Sequence, residues 1–497
     1  MNKYKEITEF ADRRALFFPT AEIHSALSGF WDFGPMGAAL RRKITELWRK
    51  EIVKKVDSVE IEGCVILPKQ NFEASGHLKN FVDPLVQCKK CHKIFRADKL
   101  IETETGKEVP EAAGTKEFDG IIKKNNIKCP ACGKELANVK KFNMMIGLSV
   151  GPVSKEYNAF LRPETCQNIF TSFQKIYKSS RVSLPLGISQ IGKAFRNEIS
   201  PRQTLVRLRE LTQLETEIFF NPKKINEVEE WDRYKNHMLR LKLLKEKDTK
   251  SFSCEEAVKK KLVSGKLVAY YLAITQQFFE KCGFSPENFR FRELEDKAKA
   301  FYSKETWDFE VKSEVGWLEL VANNYRTDYD LSSHQKVSGV DLSVVEDDEK
   351  FIPHVWEISM GLDRIFLYVL ENSLATRDNK PIFKFPYYLN PLHVVVLPLV
   401  RKDGLDKKSR EISELLKERF DVKYDEKSSI GKRYVIYDQF GVPLAVTVDY
   451  DTMKEDTVTL RDRDTQKQVR IKINKLPEAI EKFFSGEKIE KLGNIIK

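Results

Sequence analysis

No apolar run in these 497 residues approaches the roughly 20 that a membrane span requires. The opening MNKYKEITEFADRRALF is charged and helical in pattern, without a signal peptide's apolar core. Internal repeats and low-complexity tracts are missing as well. These absences predict a globular protein with no membrane partner, placed in the cytoplasm. Cysteine is scarce, eight in all, but four of the eight fall in two close pairs. In a cytosolic chain such pairs suggest metal before disulfide. A P-loop is lacking too. Gly187-x4-Gly192-Lys193 has its outline, but Ala194 stands where Ser or Thr must hold magnesium, and the run leads into a strand-like segment.

What is present is enough chain for two to four domains with sizeable cores. Hydrophobic residues make up 41% and charged residues 32%. Lysine and arginine number 85 against 74 acidic residues, a net charge of +11. That balance fits an anionic partner such as RNA, although a lysine-rich proteome gives the same figure.

The most informative run is FRNEISPRQTLVRLRELTQLETE, residues 195–217. It gathers Arg196, Glu198, Arg202, Arg207 and Arg209 around a polar loop between two strand-like segments. Alternation is expected to put Arg196 and Glu198 on one face of the first strand. Arginine's planar fork suits phosphate or carboxylate, and glutamate accepts from an exocyclic amine. Such a set can hold an adenine nucleotide without a glycine-rich loop.

Upstream, Gly29, Gly34, Pro35 and Gly37 break the chain before a long amphipathic helix. Leu40, Ile44, Leu47, Trp48, Ile52 and Val56 form its apolar stripe, and a strand VEIEGCVILP is expected to end at Pro68. Cys88-x2-Cys91 and Cys129-x2-Cys132 each have the spacing at which two thiolates from one tight turn reach a single tetrahedral ion. Together they predict a structural zinc site, with the long stretch between them a mobile excursion. Residues 221–300 are charged and predicted helical. PHVWEISMGLDRIFLYVL predicts a strand, a break at Gly361, and a helix from Leu362 with Arg364 in its first turn. There the helix N-terminus favours a phosphate. From about Pro386, LHVVVLPL reads as a buried strand and KKSREISELLKERF as a helix. YVIYDQFG, VPLAVTVDY and VTLRDRD read as three more strands of a compact mixed α/β domain.

The 195–217 run resembles motif 2 of the class II aminoacyl-tRNA synthetases, with wording close to that of the dimeric glycyl enzymes. SGHL, RPET, YRTDYDL and VTLRDRDT follow the same family in the right order, so the resemblance covers nearly the whole chain. It implies an α/β (α+β) fold: an antiparallel class II sheet with flanking helices (1–85, 141–220 and 301–384), a zinc-knuckle insertion (86–140), a helical insertion near the tRNA acceptor stem (221–300), and a C-terminal mixed α/β anticodon-binding domain (385–497). It implies a homodimer joined through the long helix and the strand after it. The implied activity is glycine–tRNA ligation with ATP, Mg2+ and tRNA(Gly).

By the same resemblance, Arg196 holds the α-phosphate and the glycine carboxylate, Glu198 accepts from the adenine amine, and Arg207 and Arg364 bind the outer phosphates. Arg196, Glu198 and Arg364 form the catalytic set. Asn197, Val206, Leu211, Leu320 and Gly361 complete the nucleotide site, with Glu319 as a magnesium or nucleotide contact. Glu164, Glu215 and Glu357, with Ser359, surround the glycine ammonium. Arg96, Leu211, Thr212, Gln213 and Gly361 border the same pocket. Lys432, Arg433, Arg461 and Arg463 are candidates for RNA contact. The family commonly has Phe where Leu211 stands, and Glu-Pro-Ser where this chain has Glu357-Ile358-Ser359. Two rivals are a synthetase-like RNA-binding dimer without catalysis and a class II synthetase for another amino acid. The intact motif charges argue against the first, and the three carboxylates against the second.

Overall fold

The computed structural model describes residues 3–107, 109, 113–152, 157–199, 201, 204–296, 298–314, 316–377 and 379–496. Arg202 lies outside them. A nine-stranded sheet forms the platform of the site. Its order is Lys250–Ser253, Met238–Lys242, Phe289–Glu293, Glu305–Ser313, Gly316–Thr327, His354–Gly361, Glu210–Phe220, Leu186–Phe195 and Val59–Ile61. All neighbours are antiparallel except Val59–Ile61 on Leu186–Phe195 and Met238–Lys242 on Phe289–Glu293.

Four parts differ from the sequence expectation. Residues 221–300 are not a helical insertion. They supply three strands of the nine, and the helix Lys266–Lys281 is buried along most of its length, packed into the main core. In Met238–Lys242, Leu239 and Leu241 are buried while their neighbours are not, the period of a strand amid lysines that read as helix. The stretch between the cysteine pairs is not an excursion. Its helices Ala97–Thr105 and Thr115–Lys124 close a small core with Val86, Leu100, Ile101, Phe118 and Ile122. The segment ending at Pro68 is two strands in separate sheets, Val59–Ile61 and Ile66–Pro68.

The helix Pro35–Trp48 begins with Pro at its first position, where no amide hydrogen is needed. Leu40, Ile44, Leu47, Trp48 and Ile52 of its stripe are buried, and Val56 packs against the same core. Gly34 and Gly37 are required by close approach, since a Cβ at either would lie 1.9 Å from the carbonyl oxygen of Ala15 or Leu16.

The C-terminal sheet has the order Val422–Tyr424, Val394–Pro398, Leu444–Val448, Thr457–Asp462, Gln468–Lys472, Asn494–Ile496, its first three strands parallel. The fourth difference lies here: Ile430–Gln439 is a helix, not the strand expected from YVIYDQFG. Parallel neighbours need a crossover connection, and this segment is the crossover.

Three of the four arginine and lysine candidates for RNA contact are corrected by burial. Arg461 gives two hydrogen bonds, of 2.9 and 3.0 Å, to Asp438. Arg463 donates to Asp464 at 2.8 Å and to the Gly441 carbonyl, and Arg433 donates to the Asp425 carbonyl at 3.0 Å. All three are buried and committed to holding the domain together; Lys432 is exposed. Arg461→Ala removes two of the hydrogen bonds to Asp438 and leaves it Arg377 at 3.1 Å, and is expected to destabilise this domain by about 1–3 kcal/mol. A lowered urea midpoint for its unfolding checks this.

Candidate active site

One cavity of about 480 Å³ opens over the middle of the nine-stranded sheet. It is lined by Glu164, Arg196, Glu198, Val206, Arg207, Leu211, Gln213, Glu319, Leu320, Glu357, Ser359, Gly361 and Arg364, all singled out from sequence. The register brings them together: Gln213 lies opposite Gly361, Glu215 opposite Ser359, and Glu217 opposite Glu357. Period-two alternation puts Gln213, Glu215 and Glu217 on one face.

Arg196 and Glu198 lie just past the strand, which ends at Phe195, rather than on its face. Arg196 spends only its Nε, on the Pro163 carbonyl at 3.1 Å, so among the described residues its terminal nitrogens are free for the cavity. Arg207 stands 3.6 Å from the Glu198 carboxylate. Arg364, from the first turn of Leu362–Ser373, reaches the Val206 carbonyl at 3.0 Å and the Glu319 carboxylate at 3.2 Å. Gly192, the residue that gave the P-loop outline, serves another purpose: a Cβ there would stand 2.0 Å from the Arg162 guanidinium. That guanidinium braces the Lys193 and Gly63 carbonyls, at 2.9 and 3.1 Å.

At the closed end three carboxylates are buried. Glu164 accepts from Gln167 at 2.9 Å and Cys166 at 3.0 Å, and lies 3.2 Å from His77 Nε2. Burial opposes its ionisation, but His77 and Arg326 outweigh this and hold it well below the usual carboxylate range. Glu215 accepts from Ser359 at 2.7 Å, from Gln213 at 3.1 Å and from the Thr165 hydroxyl. Burial, and then Glu164, push its carboxyl upward. Glu357 accepts from Asn324 at 2.6 Å and Arg326 at 3.0 Å. Burial raises it to about 8, Arg326 pulling it down while Glu215 and Glu164 push it up. The ion pair with Arg326 thus fails to depress Glu357, because its carboxylate neighbours and burial together prevail.

Some expected residues lie elsewhere, and Glu215 does not itself line the cavity but is bonded to Ser359 and Gln213, which do. Arg96 is buried between Asp83 at 3.2 Å and Asp98 at 2.7 Å and does not line the cavity. Thr212 turns to Arg41 and Asp363. The Asn197 amide is tied to the Met144 carbonyl at 2.8 Å. Arg292, Tyr302, Thr306 and Asp308 line the cavity, although the sequence gave them no role. Arg292 lies on Phe289–Glu293, within the stretch expected to be helical, and Thr306 and Asp308 lie on Glu305–Ser313. Arg326 is fully buried, with its guanidinium 3.6 Å from the Tyr302 ring centroid. Only its place in YRTDYDL hinted at it.

Away from the cavity, the sulfurs of Cys88, Cys91, Cys129 and Cys132 converge within 4.8 Å of one another. Cys88 lies 3.5 Å from Cys132, and Cys91 lies 3.6 Å from Cys129. A tetrahedral ion with Zn–S of about 2.3 Å requires sulfurs about 3.8 Å apart, so the donor set fits zinc. His92 is exposed and outside the cluster.

Residues 152–373 match the tRNA synthetase class II core domain (G, H, P, S and T), and residues 393–483 match the anticodon binding domain family. The bounds of the first match enclose 221–300, in keeping with the strands found there. The chain is 40% identical to the glycine–tRNA ligase of Pyrococcus furiosus over 98% of its own length and 100% of that protein's. To that of Thermococcus gammatolerans it is 37% identical over 98% and 99%, and to that of Methanocaldococcus jannaschii 35% over 95% and 97%. With a class II core that carries the charges of both nucleotide motifs and an anticodon-binding domain behind it, the chain belongs to the glycine–tRNA ligase family.

Proposed function

We propose that the two ends of the cavity divide the charging reaction between them. The observation that carries this reading is the placement of Glu164 and Glu357 in the lining at the buried end, with Glu215 bonded to the lining residues Ser359 and Gln213, and of Arg196, Glu198 and Arg364 along the rest. Glycine's ammonium enters the carboxylate end, with Ser359 and Gln213 holding Glu215 in place. Its carboxylate is steered by Arg196 to attack the α-phosphorus of ATP. The O–P bond forms as the bond to pyrophosphate breaks, leaving glycyl-adenylate. Arg196 meets charge developing at the α-phosphate, and Arg207 and Arg364 bind the departing phosphates. Positioning and preorganised charge supply the rate, without a covalent protein intermediate. Glu198 accepts from the adenine amine and Leu211 packs on the base, without the aromatic contribution of the family's usual Phe.

ATP enters with Mg2+, which neutralises phosphate charge when bound. Glu319 would hold the ion with a hard carboxylate oxygen at the edge of the cavity. The terminal adenosine hydroxyl of tRNA(Gly) then takes the glycyl group and AMP leaves. Selection of glycine requires the carboxylate end to exclude a Cβ, and overpacking a filled pocket is costly.

The roles assigned to the carboxylates are tested by the pH dependence of the glycine KM. Glu357 must be ionised to hold an ammonium, and its free-enzyme carboxyl is raised to about 8. Binding therefore releases a proton, and KM should fall as pH rises from about 6 towards 8, then level off. A flat profile counts against this role for Glu357.

The four-cysteine cluster would hold a structural zinc, which leaves no open position for catalysis. Cys129→Ser is expected to release the metal and loosen the small core around Phe118 and Ile122. Metal analysis of the purified protein that finds no zinc would end this assignment. A homodimer is supported by the position of Val59–Ile61 at the edge of the main sheet, a short way along the chain from the helix Pro35–Trp48. Among the described residues no helix is long and apolar enough to cross a membrane; a cytoplasmic location accompanies this reading.

A further inference from the structure

Glu217 is fully buried behind the carboxylate end of the cavity, and nothing in the reaction above uses it. Among the described residues neither of its carboxyl oxygens has a hydrogen-bond partner. It stands directly opposite Glu357 in the strand pair, with a carboxyl oxygen within 4.8 Å of one on Glu357 and of Cys166 Sγ. The charged and titratable groups facing it are Glu215 on its own strand, Glu357 on the next, Arg326, Asp330 and Cys166.

Arg326 is the one cation of that set, and it is already spent. It binds Asp330 through two nitrogens, at 2.7 and 2.8 Å, and Glu357 through the third, at 3.0 Å. A second buried carboxylate beside Glu357 would have neither counter-charge nor donor, a state that a buried group avoids by taking up a proton. We infer that Glu217 is a positioning residue of the glycine pocket that stays a neutral carboxylic acid while Glu357 ionises as glycine binds. Burial, and then the charge on Glu357, hold its carboxyl well above the usual range. Glu357, with Arg326 and Asn324 as donors, is the member of the pair that ionises. Glu217 backs it with a group able to donate rather than with a second charge. The pocket then meets the glycine ammonium with three anions, not four, and Glu357 is not pushed off its position by a like-charged neighbour.

The inference rests on the glycine-pocket assignment, and the experiment separates the two. Glycine and ATP KM values are measured by ATP–pyrophosphate exchange for Glu217→Ala, Glu217→Gln and Glu357→Gln. Infrared spectra of the wild type and Glu217→Gln are compared at neutral pH. Glu217→Ala should raise glycine KM at least about tenfold with ATP KM kept, a loss confined to glycine binding. Glu217→Gln, a neutral donor of the same shape, should recover most of that loss. The wild type should show a protonated-carboxyl band that Glu217→Gln lacks. A glutamine variant as impaired as the alanine variant, or no band lost, overturns the inference. Should the alanine variant not fold, the infrared comparison still decides. If Glu357→Gln leaves glycine KM unchanged, the pocket assignment itself fails. If Glu357→Gln raises it and Glu217→Ala does not, only the role of Glu217 fails.

Discussion

Arg196→Ala is expected to lower glycine-dependent ATP–pyrophosphate exchange by about 10³-fold, the scale seen when a preorganised donor to developing charge is removed. The side chain is suited to that position because the protein asks so little of it. One nitrogen is anchored on the Pro163 carbonyl, the guanidinium lies 5.7 Å from the Phe81 ring centroid, and the other nitrogens face the cavity. The loss should appear mainly in kcat, since the group acts on charge that develops during attack at the α-phosphorus. Lysine should recover little, because a point charge cannot bridge a phosphate and a carboxylate as a planar fork does. Measured exchange within about threefold of wild type would remove Arg196 from the reaction.

The second large effect is expected at Glu215. Its carboxylate has no exposure and accepts from Thr165, Ser359 and Gln213, so it fixes three polar side chains at once. Glu215→Ala deletes an ammonium ligand and leaves those donors without an acceptor. It should raise glycine KM by about 10²-fold or more, from the roughly 2–5 kcal/mol that breaking a buried charged contact costs. The nucleotide end shares no hydrogen bond with Glu215 among the described residues, so ATP should still bind. Equal losses for both substrates would show a collapsed site instead of a missing ligand.

How much of this was legible in the sequence depended on how local the signal was. The turn from His354–Gly361 into Leu362–Ser373 was readable because the break, the strand and the first-turn arginine lie within a few residues of one another. The cysteine cluster was readable from two equal spacings. The strand Met238–Lys242 was not: two buried leucines amid lysines carry too little pattern to outweigh a helical-looking surround. The helix Ile430–Gln439 was hidden by β-branched and aromatic residues, whose strand preference yields to the parallel pairing on either side. Arg461 and Arg463 read as RNA contacts because charge alone marks a residue as exposed. Asp438, the partner of Arg461, is 23 residues away and the Gly441 carbonyl that Arg463 meets is 22 away, and only the fold brings them near. Glu217 follows the same rule. Its position two residues after Glu215 gave its face of the strand, but its lack of a partner emerges only when every neighbour is in place.

The central claim, that the carboxylate end of this cavity selects glycine for adenylation, is tested most directly by ATP–pyrophosphate exchange with glycine, alanine and serine, wild type and Glu215→Ala side by side. Exchange with glycine alone is expected in the wild type, and its loss in the variant at glycine concentrations that saturate the parent. Exchange with alanine or serine comparable to glycine, or a Glu215→Ala enzyme that still saturates with glycine as the wild type does, would contradict it.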